Sequence, residues 1–310
     1  MGEGKVNVFI TGVNGFLGKH LARKLHQQGH IIQGLGRQAQ PLVPVDHYFS
    51  GDVCNKNDVR EAARGADALV HLAAVTTHQE ITAEKEKALQ ISFQGMQNVL
   101  QVAAELGIKK VLLSSSGKVY GSFDPAQLPL TEDLLPRPQN ILGKIKYLTE
   151  QLMDFYASSQ NSLVVLRIFN VYGPDQHPQF LIPTILRQIQ PRNKEEEEVI
   201  TLGDVTAQRD YVFVDDVVQA LILALEKEMP PGLSIWNVCS QQGTSAQEIV
   251  QEVSRLLGKS LKVRGDEQRV RYDEQHQEYG SYQKISALGW KPQVSLAEGL
   301  RRILEKQGKS

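Results

Sequence analysis

The chain has 310 residues, and its 34 basic and 35 acidic side chains nearly cancel. That length suits one large α/β domain or two modest ones, and the charge balance argues against a nucleic-acid partner. The two cysteines, Cys54 and Cys239, are too few and too far apart to indicate a disulfide framework or a metal site.

In chain order, the first predicted element is a short buried strand at 6–10, made mostly of apolar and β-branched residues. The turn at 11–18 has glycines that suit a tight turn, close backbone approach to a pyrophosphate and close helix packing. Leu21, Ala22 and Leu25 then recur at helical spacing. This order predicts a dinucleotide site at the positive helix N-terminus. The alternative is a glycine-rich turn that binds nothing.

The rest of the chain alternates between strands and helices. Further strands are predicted at 31–35, 69–72, 111–115, 163–168 and 234–238, and helices at 86–105, 143–158 and 245–258. Ser245 or Thr244 is the expected cap of the last helix, and Glu248 follows Ser245 at the spacing of a capping box. The alternation predicts an α/β fold, with a parallel sheet that carries helices on both faces.

Motifs along this frame resemble those of the extended short-chain dehydrogenases/reductases, the NAD(P)-dependent nucleotide-sugar epimerase/dehydratase family. In the family's order, they lie at 11–18, 51–53, 69–74, 113–121, 166–174, 208–211, 214–217 and 288–292. The resemblance implies a Rossmann-type doubly wound parallel sheet with a smaller C-terminal substrate-binding lobe. It assigns 1–173 and 205–238 to the NADP-binding domain, and 174–204 and 239–310 to the nucleotide-sugar-binding lobe.

The resemblance also implies which residues contact the cofactor. They are Gly12, Asn14, Gly15, Phe16, Leu17, Gly18, Arg37, Asp52, Val53, Leu72, Ala73, Ala74 and Lys146. The second strand ends at Gly36 and Arg37, where NAD-binding sheets usually carry an acidic side chain that holds the ribose hydroxyls. Loss of that charge, and a guanidinium suited to a 2′-phosphate, predict NADP. NAD is the alternative if Arg37 is only a solvated loop residue.

In this family a serine, a tyrosine and a lysine four residues after the tyrosine cooperate in catalysis. Alignment on the motifs makes Ser116 the serine and Lys146 the lysine, and it places Leu142 where the tyrosine is expected. A leucine carries no proton, so the chemistry departs from the family pattern at this position. Tyr147 points about 100° away on a helix, so we do not expect it to substitute.

Lys118 is the other candidate catalytic residue. It lies two residues after Ser116, so on a strand both side chains would project to the same face. A subgroup of UDP-N-acetylhexosamine 4,6-dehydratases is similar in having lysine there, and some of its members replace the tyrosine. That subgroup has an aspartate where this chain has Gly117. Lys118 is therefore expected to exchange a proton with the sugar; the alternative is a surface or phosphate-pairing lysine.

The resemblance implies substrate contacts from Asn170, Arg209, Arg269 and Arg271. The planar fork of arginine suits a nucleotide diphosphate, although Arg209 could instead form an ion pair with Asp210 or Asp215. The expected activity is NAD(P)-dependent modification of a nucleotide-diphosphate sugar, of epimerase or 4,6-dehydratase type. The alternatives are an NADPH-dependent keto-sugar reductase and a catalytically silent pseudoenzyme or partner subunit.

Location and assembly are expectations too. The N-terminus lacks a charged-then-apolar signal and no run of about 18 apolar residues is present, so a cytoplasmic protein without a membrane partner is expected. Family members pair through the helices after the fourth and fifth strands, here 86–105 and 143–158, which form a four-helix bundle. A homodimer is therefore expected, unless the apolar residues of 143–158 all pack internally.

Overall fold

The computed structural model describes residues 5–189, 198–266 and 275–308. The chain divides into two compact units. Unit one comprises Met1–Val119, Ile141–Ile168 and Val218–Trp236, and unit two comprises Tyr120–Asn140, Phe169–Val217 and Asn237–Ser310. Among the described residues, no helix is both long enough and apolar enough to span a membrane.

The described strands are β1 (Asn7–Thr11), β2 (Ile31–Gly36), β3 (His47–Ser50), β4 (Ala68–His71), β5 (Lys110–Ser116), β6 (Ser162–Ile168), β7 (Asn170–Tyr172), β8 (Glu198–Leu202), β9 (Gln208–Phe213), β10 (Gly232–Val238), β11 (Gly243–Ser245), β12 (Leu261–Gly265) and β13 (Gln277–Glu278). The described α-helices are α1 (Phe16–Gln27), α2 (Lys56–Ala62), α3 (His78–Ala83), α4 (Lys85–Leu106), α5 (Ile141–Tyr156), α6 (Leu181–Gln188), α7 (Val214–Glu226), α8 (Ala246–Leu257), α9 (Gln283–Ser286) and α10 (Leu296–Lys306). Short 3₁₀ turns lie at Gly117–Val119 and Pro125–Gln127.

A seven-stranded sheet in the order β10-β6-β5-β4-β1-β2-β3 confirms the predicted α/β fold. The pairings from β3 across to β6 are parallel. Each predicted strand and helix is present, with ends displaced by no more than two residues. The strand order reverses beside β1, because β2 lies on one side of it and β4 on the other. In doubly wound sheets, ligands bind at the carboxyl ends of strands at this point.

Two glycines position α1 against the end of β1. Gly12 has a φ of +70°, and a Cβ there would lie 2.8 Å from the backbone nitrogen of Ala73. A Cβ on Gly18 would collide with the carbonyl oxygen of Gly12. The helix then buries Leu21, Ala22 and Leu25, the apolar positions that the sequence predicts. These close approaches bring the N-terminus of α1 directly to the edge of the sheet.

Unit two contains a small sheet in which β9 lies between β11 and β13, and β7 also pairs with β9. The capping box predicted for α8 is present, since Ser245 and Glu248 exchange both hydrogen bonds. The boundaries of the two units differ from those of the predicted domain ranges. Tyr120–Asn140 groups with unit two, because Leu130 exchanges backbone hydrogen bonds of 3.0 and 2.8 Å with Tyr279 and Ser281.

Candidate active site

A cleft of about 200 Å³ lies at the carboxyl ends of β1, β2 and β4 in unit one. It is lined by Thr11, Gly12, Asn14, Gly15, Leu35, Gly36, Arg37, Gln38, Gly51, Asp52, Val53, Leu72, Ala73, Ala74, Val75 and Ile91. The fold thus brings together nine of the predicted cofactor residues from four separate stretches of chain. Phe16, Leu17, Gly18 and Lys146 are predicted contacts that do not line the cleft.

The N-terminus of α1 is suited to an anion. Gly15 caps the helix in an extended conformation, no side chain accepts a capping hydrogen bond, and the first turn carries no acidic residue. The first backbone N–H groups of a helix lack partners within it and carry the positive end of its dipole. Together with the glycine close approaches at its edge, this end of the cleft fits a dinucleotide pyrophosphate.

A buried polar chain connects β1 to β4 beside the cleft. The Thr11 hydroxyl lies 2.8 Å from Nδ1 of His71 and accepts the backbone N–H of Ala73 at 3.3 Å. Burial, together with the positive charge of Lys146, lowers the pKa of His71 to about 3. His71 is therefore neutral at physiological pH, and it fixes the Thr11 side chain and the backbone that follows β4.

The part of the cleft that Asp52 and Val53 line also rests on local hydrogen bonds. Asp52 accepts the backbone N–H of Cys54 at 2.9 Å, and its own N–H donates to Asp58 at 2.9 Å. Val53 is buried beside Gly95, where a Cβ would meet the Val53 side chain at 2.9 Å. The turn after β3 that the sequence predicts at 51–53 is thus held against α2 and α4.

Lys118 does not lie on a strand, so the same-face argument for it is wrong. β5 ends at Ser116, and Gly117–Val119 forms a 3₁₀ turn. The Ser116 hydroxyl accepts the backbone N–H of Lys118 at 3.2 Å. The turn keeps the two residues adjacent, and both side chains are half-buried. The serine hydroxyl retains its own hydrogen for donation.

Lys146 is buried on α5, and its Nζ donates to the carbonyl oxygen of Ser114 at 2.6 Å. Burial lowers its pKa to about 8, and the charge of Glu150 opposes part of that shift. The ammonium therefore faces the end of β5, one strand away from His71. It is held in place by a backbone acceptor before any ligand binds.

This buried lysine makes stability depend on alkaline pH. In the unfolded chain, Lys146 has an ordinary pKa near 10.4. Between about pH 8 and 10.4 the unfolded chain therefore binds more protons than the folded chain does. Stability contributed by this group is expected to rise with pH across that window by about 3 kcal/mol. Urea unfolding at a series of pH values gives the free energy of unfolding of the parent and of Lys146→Met. The difference between the two pH profiles measures the contribution of Lys146. Lys144→Met, an exposed change on the same helix, should leave the parent profile intact.

Leu142 lies one turn before Lys146 and packs into an apolar cluster. The buried members of that cluster are Ile81, Ala88 and Ile145, and Val75 packs against it together with Leu142. Val75 also lines the cofactor cleft. The position where the family resemblance expects a phenol hydroxyl is therefore filled by hydrocarbon, which supplies packing and no proton.

A buried ion pair joins α5 to the two strands below it. Glu150 accepts from Arg167 on β6, with Nη2 at 2.8 Å from Oε2, and from the hydroxyl of Ser115. The side chains of Arg167 and Glu150 are only 3% and 2% exposed. Glu150 lies one turn after Lys146 on α5, and Ser115 directly precedes Ser116 on β5. The hydrogen bonds of Glu150 therefore hold the helix that carries Lys146 against the strand that carries Ser116.

Two predicted substrate residues lie on neighbouring strands of unit two. Asn170 on β7 pairs with Tyr211 on β9, and its Nδ2 donates to the carbonyl of Asp210 at 3.0 Å. Arg209 on β9 donates through Nη1 to the carbonyls of Gln208 and His276 at 2.9 and 3.3 Å. Arg269 and Arg271 lie outside the described residues.

Asp210 anchors the strand that carries Arg209. It is buried, and it accepts four hydrogen bonds, from the backbone and hydroxyl of Ser240 and from the backbone of Gln241 and Gly280. Burial raises its pKa to about 6, against the lowering effect of these bonds. The carboxylate is thus committed to the backbone of its own unit.

Sequence reasoning missed several residues of the cleft. The lining includes Thr11, Leu35, Gln38, Gly51, Val75 and Ile91, and β3 contributes Tyr48 to a polar network under the cleft wall. Thr11 and Gly51 lie inside the predicted motifs at 11–18 and 51–53, and Gln38 and Val75 each directly follow a predicted contact. Extending the contact list by one residue at each motif would have found these four. Nothing in the sequence relates Tyr48 to Asn14, because 34 positions separate the two.

Comparison with known proteins gives concordant matches. The family model described as NAD dependent epimerase/dehydratase family matches residues 8–239. The GDP-6-deoxy-D-mannose reductase of Pseudomonas aeruginosa is 31% identical over 303 residues, which cover 96% of this chain and 95% of that protein. RMD from Pseudomonas aeruginosa, solved with NADPH, superposes with a TM-score of 0.83 at 30% identity over 97% of this chain and 98% of that one. UDP-glucose 4-epimerase from Thermotoga maritima, solved with UDP-glucose, gives 0.84 at 27% identity over 98% and 99%.

Proposed function

We propose that this chain, which belongs to the NAD dependent epimerase/dehydratase family, transfers hydride between NADP(H) and the sugar of a nucleotide-diphosphate sugar. The observation that carries the proposal is the cleft of unit one. It unites the glycine turn, the uncapped N-terminus of α1, Arg37 and Asp52 at the carboxyl ends of three parallel strands. When bound, the nicotinamide supplies or accepts the hydride; the chain positions the reactants and moves the proton.

We propose NADP as the preferred cofactor, with NAD as the weaker ligand. Gly36 and Arg37 both line the cleft, and Arg37 is exposed there. A guanidinium can pair with a 2′-phosphate through two charge-assisted hydrogen bonds, whereas glycine offers the ribose hydroxyls no acceptor. The RMD relative was solved with NADPH, and other solved relatives hold NAD.

Arg37→Ala is therefore expected to weaken NADPH binding about tenfold or more, the size of a lost charge-assisted contact, and to leave NADH binding unchanged. Fluorescence titration of both cofactors measures the two affinities. Arg64→Ala, which removes an exposed guanidinium outside the cleft lining, is the matched control and should change neither. Equal losses for both cofactors would contradict a contact with the 2′-phosphate.

For the chemistry, we propose that Lys118 exchanges the proton with the sugar hydroxyl and that Ser116 hydrogen-bonds the same oxygen. Lys146 would hold the nicotinamide ribose, and Leu142 would only shape the pocket. The support is local: Ser116 and Lys118 share a turn, the Lys146 ammonium is already held at the end of β5, and Leu142 lies in an apolar cluster. Asn170, Arg209, Arg269 and Arg271 are the proposed contacts to the nucleotide diphosphate.

The reaction is proposed to be of epimerase or 4,6-dehydratase type, in which bound cofactor oxidises the sugar transiently. An NADPH-dependent keto-sugar reductase is the second candidate, favoured by Arg37 and by the GDP-6-deoxy-D-mannose reductase relative. A cofactor-binding pseudoenzyme is the third, favoured by Leu142.

One experiment separates these candidates. Purified protein is incubated with UDP-, dTDP- and GDP-sugars, including GDP-6-deoxy-D-mannose, with and without added NADP⁺, and the products are identified by NMR. Formation of an inverted or 4-keto sugar without net cofactor change indicates the first class. Oxidation of a sugar coupled to stoichiometric formation of NADPH from NADP⁺ indicates the keto-sugar reductase, here working in reverse. Binding of cofactor and sugar nucleotide without turnover of any sugar would overturn both and indicate the pseudoenzyme.

We also propose that the protein is a homodimer that pairs through α4 and α5. The two helices pack against each other within unit one, and their outer surface exposes Leu89, Leu148 and Phe155, the last at 81%. Other apolar residues of α5, Ile145 and Met153, are buried within the unit. The exposed set is the apolar surface that a second copy would cover.

Phe155→Lys should then break the dimer, because it places an ammonium in an apolar interface. Light scattering at micromolar concentration should give twice 34.6 kDa for the parent and 34.6 kDa for the variant. Leu135→Lys, the same kind of change at a site that is 77% exposed in unit two, should leave the dimer intact. A parent of single mass would reject the assembly outright.

A further inference from the structure

We infer that the hydroxyl of Tyr48, on β3, sets the cofactor preference by keeping position 36 free of a side chain. The inference rests on the proposed cofactor function and deepens it. It adds a residue of the neighbouring strand to the two residues at the end of β2 that the sequence identifies.

Position 36 has no room for a side chain beside Tyr48. A Cβ built on Gly36 would lie 2.8 Å from the hydroxyl oxygen of Tyr48, which is closer than real Cβ contacts occur. The next nearest atoms, Nδ2 of Asn14 and Oε1 of Gln38, are both 3.4 Å away, at ordinary contact distance. One atom, the tyrosine oxygen, therefore excludes a side chain at position 36.

The backbone conformation at position 36 does not require glycine. Gly36 is not among the glycines with positive φ, so its conformation is one that any L-residue adopts. Glycine is not required there by the turn itself. The residue at 36 is restricted by its neighbour on β3, and a different neighbour would permit an aspartate or a glutamate.

The Tyr48 side chain cannot swing aside without losing the hydrogen bonds of its hydroxyl. Its hydroxyl donates to the carbonyl of Gln38 at 2.7 Å and accepts from Nδ2 of Asn14 at 3.2 Å. Asn14 in turn donates to the carbonyl of Gln40 and accepts the backbone N–H of Leu42 at 2.8 Å. The hydroxyl is therefore locked into the network that shapes the loop after β2, the loop that presents Arg37.

The consequence for recognition is direct. An acidic side chain at the end of the second strand is what holds the ribose hydroxyls of NAD. Tyr48 excludes that side chain and at the same time holds the loop that carries the guanidinium. Gly36→Asp alone is then expected to weaken NADPH binding without improving NADH binding, because the carboxylate can enter only by displacing the Tyr48 side chain.

The test is a pair of variant cycles. Kd values for NADH and NADPH are measured for Gly36→Asp, Tyr48→Phe and the double variant. The double variant should bind NADH about tenfold more tightly than Gly36→Asp does, the size of one charge-assisted hydrogen bond. Tyr156→Phe, which removes a hydroxyl elsewhere in unit one, should not rescue Gly36→Asp.

Thermal unfolding of Gly36→Ala, Tyr48→Phe and their double variant tests the packing without any cofactor. Gly36→Ala should lower Tm by about 3 °C in the parent and by less than about 1 °C once the hydroxyl is gone. Two results would overturn the inference. One is an equal fall in Tm from Gly36→Ala with and without the Tyr48 hydroxyl; the other is tighter NADH binding by Gly36→Asp while Tyr48 is intact. If the parent binds neither cofactor, the proposed function fails, and the Tm cycle still reports whether Tyr48 excludes the side chain.

Discussion

Replacing Lys118 with alanine is expected to lower turnover by about 10²–10⁴, the usual cost of a lost positioned acid or base, while NADPH affinity changes little. The reason is its place in the fold. The residue shares a turn with Ser116 at the end of β5, and Leu142 offers no proton at the position expected for a tyrosine. Steady-state kinetics on whichever sugar nucleotide the panel identifies, with a parallel cofactor titration, measures both quantities.

Lys118→Arg distinguishes proton transfer from phosphate pairing. Arginine keeps the positive charge but stays protonated, so it can still pair with a phosphate but cannot exchange a proton. The proposal expects Lys118→Arg to be about as slow as Lys118→Ala. Lys144→Ala, which removes an exposed lysine on α5, is the matched control and should be as active as the parent.

Two results would contradict the assignment. An active parent that is indifferent to Lys118→Ala would mean that the proton comes from the substrate, from water or from another residue. A silent parent that gains activity in Leu142→Tyr would mean that the natural chain is a pseudoenzyme. The second result is informative because Leu142 lies four residues before Lys146, so a tyrosine there would lie on the same helical face as the lysine.

The sheet and its helices were predictable because their signals are local and repeated. Apolar β-branched runs and helical spacing recur along the chain, and a capping box such as that of Ser245 and Glu248 marks a helix start within four residues. The glycine turn was predictable for a related reason. Gly12 and Gly18 lie where a Cβ would meet backbone, and few other residues fit that geometry. The family match confirms the resemblance drawn from the motifs.

The local environment of the candidate site was less predictable. Strand alternation placed Lys118 on the face of Ser116, but the strand ends at Ser116 and a 3₁₀ turn follows. Side-chain direction beyond a strand end depends on where the strand ends, and boundaries are the least reliable part of a sequence-based prediction. The Tyr48 network joins residues 34 positions apart, and such contacts leave no periodic signal. The pairing of Glu150 with Arg167 also depends on how α5 lies on the sheet.

Breaking that buried pair is expected to have the largest effect on stability. Arg167→Met should lower the free energy of unfolding by about 3–5 kcal/mol, because it leaves the Glu150 carboxylate buried without the guanidinium that pairs with it. Urea unfolding measures the loss. Arg60→Met is the matched control, since Arg60 and its partner Glu105 are 32% and 39% exposed; it should cost less than about 1 kcal/mol.

The double variant Arg167→Met/Glu150→Leu decides how the loss arises. With both charges replaced by apolar side chains of similar size, neither member of the pair is left as a buried charge without its partner, so the double variant should be more stable than Arg167→Met alone. A double variant as unstable as the sum of the two single changes would instead mean that the two side chains contribute independently, and it would contradict the pairing argument. Breaking the pair is also expected to affect cofactor binding, because Glu150 lies on α5, the helix that carries Lys146. Glu150 lies one turn after Lys146, so if the carboxylate holds that helix on β5 and β6, Arg167→Met should also weaken cofactor binding in the fraction of protein that remains folded, whereas the double variant should recover part of it.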